Sequence, residues 1–189
     1  MFINDGGLRV AGPNISPGTG NVVASYSNAD WVRTIRHGVN PKGRPLMIMP
    51  SEDYNRFTDA DLAALITYVK SLSPVSGSGR VMELPMPVRA MYGFGVIKDA
   101  AAKIDHTLPP QPPVPDGITT AHGACVANMC LGCHGARLSG GKIPGSPPHW
   151  PPAANLTSGK DSVMAATPTR IRSSRCSRPA RGPMDQPLK

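Results

Sequence analysis

The sequence is short of aromatic residues, at 5% of the chain, and has no apolar run long enough to cross a bilayer as a helix. The first shortage leaves little bulk for a core. A chain of 189 residues with 22 prolines and 20 glycines would therefore gain from a large buried cofactor. The second excludes a helical membrane span. Met1 to Val10 also lacks the apolar centre of a secretory leader, so the chain as written is expected to carry no export signal. Cysteine is scarce too. Of four, three crowd between Cys125 and Cys133, which fits cofactor ligation better than a disulfide framework.

The formal net charge of +8 raises the question of a nucleic-acid partner, and its location answers it. Residues 166–189 hold six Lys and Arg and one acid, a net +5, which leaves +3 for residues 1–165. No aromatic residue interleaves those arginines, and no helix-turn-helix or zinc-finger spacing accompanies them, so no nucleic-acid partner is expected.

The length allows one mid-sized domain or two small ones, and the order of patterns favours two. Residues 1–27 are rich in Gly, Asn and Ser and read as loop. A short helix follows, with Ser27 as N-cap, Trp31, Val32 and Ile35 as its apolar stripe, and Gly38 where a left-handed residue ends it. After a loop from Asn40 to Phe57, Thr58 and Asp61 resemble a capping box. Leu62, Leu65, Ile66, Val69 and Leu72 then recur at helical spacing until Pro74. Residues 74–118 are Pro/Gly-rich and read as a connector, with an extended section from Leu108 to Pro113. From about Thr119 a helix carrying Val126 and Met129 runs into the cysteine cluster. Beyond Ala165 the Arg/Ser/Pro-rich tail has no period and reads as disordered.

Cys130-Leu131-Gly132-Cys133-His134 is C-x-x-C-H, the attachment sequence of c-type haem. Two cysteines three apart at a helix end can reach the two vinyl groups of one porphyrin as thioethers, and the adjacent imidazole falls beneath the iron as proximal ligand. Two other chemistries share these residues. Cys125-x4-Cys130-x2-Cys133 has the plant-type spacing for a [2Fe–2S] cluster, with Cys176 as a distant fourth thiolate. Zinc could take Cys125, Cys130 and Cys133 with His122 or His149. His37 and His106 read as ordinary polar residues.

With these residues in view, the sequence resembles the multi-haem cytochrome c subunits that accept electrons from membrane-associated bacterial dehydrogenases of alcohols, aldehydes or sugar acids. In that family a domain runs C-x-x-C-H, an Asn-Leu-Thr or Asn-Ile-Thr loop, a short helix, a Gly-x-x-Pro-x-Gly turn, a Met-Pro pair and a closing helix. Residues 11–72 resemble the later part of one such domain, with Asn14-Ile15-Ser16, the Trp31 helix, Gly38 to Gly43, Met49-Pro50 and the Leu62 helix. Residues 120–165 resemble the earlier part of the next, with Cys130, Cys133, His134, Gly140 to Gly145, Trp150-Pro151-Pro152 and Asn155-Leu156-Thr157.

The resemblance implies an all-α, cytochrome c-like fold of two incomplete small helical domains. These are residues 1–73, without C-x-x-C-H, and residues 119–165, with it; a connector at 74–118 joins them and a basic tail at 166–189 follows. It implies covalent haem c at Cys130 and Cys133, iron held by His134, and Met49 as distal iron ligand of the first domain. It also implies an electron carrier and not an enzyme. The expected partners are a dehydrogenase subunit and a respiratory-chain acceptor, at the periplasmic face of the inner membrane, with membrane association only through those partners. The second domain has no Met-Pro pair, so its iron would be open, water-ligated, or bound by His122, His149 or Met49. The runner-up readings are the iron–sulfur or zinc module and an inactive pseudogene product.

The change of character near Ala165 falls where the family pattern expects its short helix, which points to a truncated domain continued out of frame. With permissible codons, the frame displaced by two nucleotides over Ala166 to Lys189 can encode an amphipathic run and then Gly-Lys-Arg-Pro-Asp-Gly, the same turn as Gly38 to Gly43. The coding DNA is expected to read this turn in that frame; any other reading there refutes the shift.

Overall fold

The computed structural model describes residues 3–77, 79–144, 146–147 and 149–164. The expected disordered and out-of-frame tail lies outside them, as does Cys176. The chain divides into two compact units, Met1–Met129 and Cys130–Lys189.

The centre of the first unit is built by two helices. In α1 (Asn28–His37) Ser27 closes a full capping box: its hydroxyl accepts from the Asp30 N–H at 3.2 Å, and the Asp30 carboxylate accepts from the Ser27 N–H at 3.0 Å. The Ser27 hydroxyl also donates to that carboxylate, and these bonds hold the Asp30 carboxyl below the ordinary aspartate range. The helix ends at Gly38, whose φ of 65° is left-handed. A side chain there would bring its Cβ to 2.8 Å from the Ala100 Cβ, so glycine is needed for space as well as for φ. In α3 (Asp59–Ser71) Thr58 caps through the Asp61 N–H at 3.0 Å. Helical spacing places Trp31 and Ile35 of α1 against Leu62 and Ile66 of α3, and these four are the buried cluster. Each contributes about 1.5–3 kcal/mol by leaving water. Val23, Tyr26, Met49, Phe57, Leu65 and Val69 pack around them. Between the two helices lies the one-turn α2 (Ser51–Tyr54).

The chain is only partly helical, which corrects the all-α expectation. Strands β1 (Ile3–Asp5), β2 (Leu8–Ala11) and β3 (Val81–Glu83) form an antiparallel sheet in that order. The Gly-rich start, expected as loop, is instead a hairpin: Gly6 and Gly7 have φ of 54° and 83°, the positive pair that a tight hairpin needs. Ile3 and Val10 face each other across it and are buried. On the other side of β2, Arg9 pairs with Glu83 through two contacts of 2.9 Å. Both side chains are exposed, so the pair adds little stability.

Within residues 74–118, β3 is followed by α4 (Met86–Gly93) and a 3-10 turn at Ala101–Lys103. The Ala100 N–H donates to the Leu46 carbonyl at 2.8 Å, and Ala100 is fully buried. The Tyr92 hydroxyl donates to Asp99 at 2.7 Å, while the other Asp99 oxygen accepts from the Ala102 N–H of the turn at 2.8 Å. Helix α5 (Thr120–Ala127) starts at Thr119, whose hydroxyl accepts from the His122 N–H. It carries Cys125 and Val126 but ends before Met129: a 3-10 turn, Asn128–Cys130, leads on to α6 (Leu131–His134). Among the described residues no helix is long and apolar enough to cross a membrane.

Candidate functional site

The attachment sequence forms the short helix α6, with Cys130 in helical conformation at its N-cap and His134 as its last residue. Cys130 is half-buried, Cys133 is exposed, and both thiols are free. Gly135 leaves the helix with φ 77° and ψ 163°, and its N–H closes the turn on the Leu131 carbonyl at 2.8 Å. The turn therefore presents two thiols and an imidazole within one five-residue stretch, as covalent attachment of one planar ring requires.

His134 is fixed from behind. Its Nδ1 lies 2.7 Å from the Ala154 carbonyl oxygen. A carbonyl only accepts, so Nδ1 carries the proton and the lone pair of the neutral ring sits on Nε2. Such a bond orients a metal-ligating histidine and raises its basicity.

Gly140 makes this bond possible by letting two backbones approach. The Gly140 N–H donates to the His134 carbonyl at 2.9 Å, while Gly141 and Ala153 exchange bonds of 3.0 and 2.8 Å. A Cβ on Gly140 would meet the Ala153 oxygen and would lie 2.6 Å from the Ala154 carbonyl carbon. The Leu156 N–H continues the contact by donating to the Leu138 carbonyl at 2.8 Å. Leu138 itself holds φ 55°, the one non-glycine residue among those described with positive φ, at a cost of about 1–3 kcal/mol.

The next three residues repeat a loop of the first unit. Asn155 Oδ1 accepts from the Thr157 N–H at 2.9 Å and from the Thr157 hydroxyl at 2.8 Å. Asn14 Oδ1 accepts from the Ser16 N–H at 2.9 Å and from the Ser16 hydroxyl at 2.8 Å. Both loops go on to a further turn seven residues past the asparagine, where Ser162 N–H bonds Gly159 and Asn21 N–H bonds Gly18. The same Asx-turn thus stands in each unit, at Asn14 and at Asn155. In the first unit this loop walls an open pocket of about 410 Å³, together with Val23, Tyr26, Trp31 and Val69.

Met49 is partly buried and packs against the Trp31 cluster, just before α2. It does not line that pocket. His122 lies 3.6 Å from Asp116. Among the described residues no group of three or more His, Cys, Asp or Glu is arranged to hold a metal ion, and Cys176 lies outside them. Two features were not legible beforehand. The Ala154 carbonyl has no side-chain signature, and His37 and His106, read as ordinary, bring their Nδ1 atoms to 3.0 Å.

No family model matches the chain. Two curated proteins resemble it in part. The fructose dehydrogenase cytochrome subunit of Gluconobacter japonicus is 30% identical over 105 residues, covering 51% of this chain and 22% of that protein. The gluconate 2-dehydrogenase cytochrome c subunit of Pantoea cypripedii is 29% identical over 100 residues, covering 48% of this chain and 23% of that protein. The chain thus matches less than a quarter of the length of either relative. The likeness supports a cytochrome c family, since both relatives are named as cytochrome subunits of dehydrogenases.

Proposed function

We propose that this chain is an electron-transfer protein of the cytochrome c type that holds one haem covalently. The observation that carries this reading is the pairing of C-x-x-C-H with a histidine whose Nδ1 proton is committed to the Ala154 carbonyl. Cys130 and Cys133 would hold the ring as thioethers, and His134 Nε2 would be the proximal ligand. When bound, the haem supplies reversible one-electron chemistry between ferrous and ferric iron. The protein's share is positional. The Gly140 and Ala153 approach keeps His134 in one tautomer, and the Asn155 to Thr157 loop gives the chain beyond it a fixed shape.

In the first unit Met49 remains the proposed distal ligand by resemblance, held half-buried on the core. Electrons would come from a dehydrogenase and pass to a respiratory-chain acceptor on the periplasmic side, and the names of the two relatives support the first of these partners.

The chain expressed behind an export signal, in cells that mature c-type cytochromes, is expected to give a haem-stained band at its own mass on a denaturing gel. Cys130→Ala with Cys133→Ala should remove the stain entirely. A stain that survives the double replacement, or soluble exported protein that never stains, rejects the proposal.

A further inference from the structure

Away from the attachment turn, α1 and the segment after the 3-10 turn meet through two imidazoles. His37, the last residue of α1, and His106 have Nδ1 atoms 3.0 Å apart, with ring centroids at 5.3 Å and planes tilted by 32°. Two ring nitrogens approach so closely only when one bears a hydrogen and the other a lone pair. His106 Nε2 lies 3.0 Å from the Ala101 carbonyl and must donate to it, so in the neutral ring the His106 lone pair is on Nδ1. His37 Nδ1 then supplies the single hydrogen between the rings.

We infer that His37 and His106 form the two-nitrogen edge of a binding site for a divalent transition-metal ion of the nickel, copper or zinc class. The spacing suits such an ion. Metal–imidazole bonds of about 2.0–2.1 Å meeting at a right angle hold their nitrogens about 2.9 Å apart, the geometry of square-planar or octahedral ions. The wiring suits it as well. The Ala101 carbonyl already sets His106 in the ligating tautomer, as a backbone acceptor does behind a metal-bound histidine. His37 needs only to pass its hydrogen from Nδ1 to Nε2; the ring stays neutral, and no proton leaves the pair.

The surroundings permit a cation. Both rings sit at the C-terminal end of a ten-residue helix, where the helix dipole favours positive charge. Of the charged neighbours, Arg36 is turned away, bonded to Asp59 at 2.9 Å and to the Phe57 carbonyl at 2.8 Å. The Asp105 carboxylate adjoins His106 and accepts from Thr107. His106 is exposed, so water can complete the coordination. With two protein ligands the ion would exchange readily.

The test uses the full chain and NiCl2, followed through the imidazole signals of the five histidines by NMR. Substoichiometric Ni²⁺ is expected to broaden His37 and His106 before His122, His134 and His149. His106→Gln should raise the nickel concentration that half-broadens His37 by roughly tenfold or more, since even loss of an outer-shell partner typically costs that much. His37→Gln should do the same at His106, giving an independent reading if one variant folds poorly by its amide spectrum. Simultaneous broadening of all five rings, or broadening at His37 that persists unchanged in His106→Gln, overturns the site and leaves a hydrogen-bonded pair only.

Discussion

Trp31→Ala is expected to remove about 3–5 kcal/mol from the first unit, the range for truncating a buried tryptophan. Trp31 is 5% exposed, stacks edge-on against Tyr26 at 5.4 Å, and joins Ile35 to Leu62 and Ile66 across the two helices. It also forms part of the wall of the pocket beside the Asn14 loop, so its loss opens the core to water on that side. Small domains hold only about 5–15 kcal/mol in total, so this one change should take a large share of the stability. Urea denaturation followed by far-ultraviolet circular dichroism would show the midpoint fall. An unchanged midpoint would mean that the α1 to α3 packing is not what holds this unit together.

The second large effect is expected from Gly140→Ala, at about 2–5 kcal/mol from left-handed backbone strain and overpacking together. The new Cβ would lie 2.6 Å from the Ala154 carbonyl carbon and 2.7 Å from its oxygen, the atom that accepts from His134. Relief requires that carbonyl to move, so the damage should reach the imidazole. Gly141→Ala is the matched control: its φ is 120°, yet nothing lies within 4 Å of the added carbon. Nitrogen chemical shifts of the His134 ring should report a mixture of tautomers in Gly140→Ala and a single one in Gly141→Ala. Indistinguishable behaviour of the two variants would remove the close approach as the element that sets the histidine.

What could be read from the sequence follows the range of the interaction. Helix α1 was legible because Ser27, the Trp31 and Ile35 stripe and Gly38 act within one stretch of chain, and α3 for the same reason through Thr58, Leu62 and Ile66. The hairpin of β1 and β2 left one local trace, Gly6-Gly7, between strands too short to show an alternation. Its third strand left none, because Val81–Glu83 is recruited from some seventy residues away. The proline- and glycine-rich stretch hid its buried point, since Ala100 contributes a small side chain and a backbone bond, neither of which makes a hydrophobic period. At the site, C-x-x-C-H was plain. The partner of His134 was not, because any residue supplies a carbonyl and only the Gly140 fold-back selects Ala154. The His37 and His106 pair has no local trace for a similar reason, its members being 69 positions apart.

The two kinds of closure also set a timetable. The bond from His134 to Ala154 spans 20 positions and the Arg9 to Glu83 pairing spans 74, a difference of about 1 kcal/mol in loop-closure entropy. That is small beside the difference in waiting. A ribosome adding about 5–20 residues per second needs about 4–15 s to travel from Ala11 to Glu83. Throughout that interval the far edge of β2 has its N–H and C=O groups exposed and no neighbour to take them. The hairpin is therefore at its most adhesive while the chain is still being made, and the late arrival of three residues, Val81 to Glu83, ends that exposure.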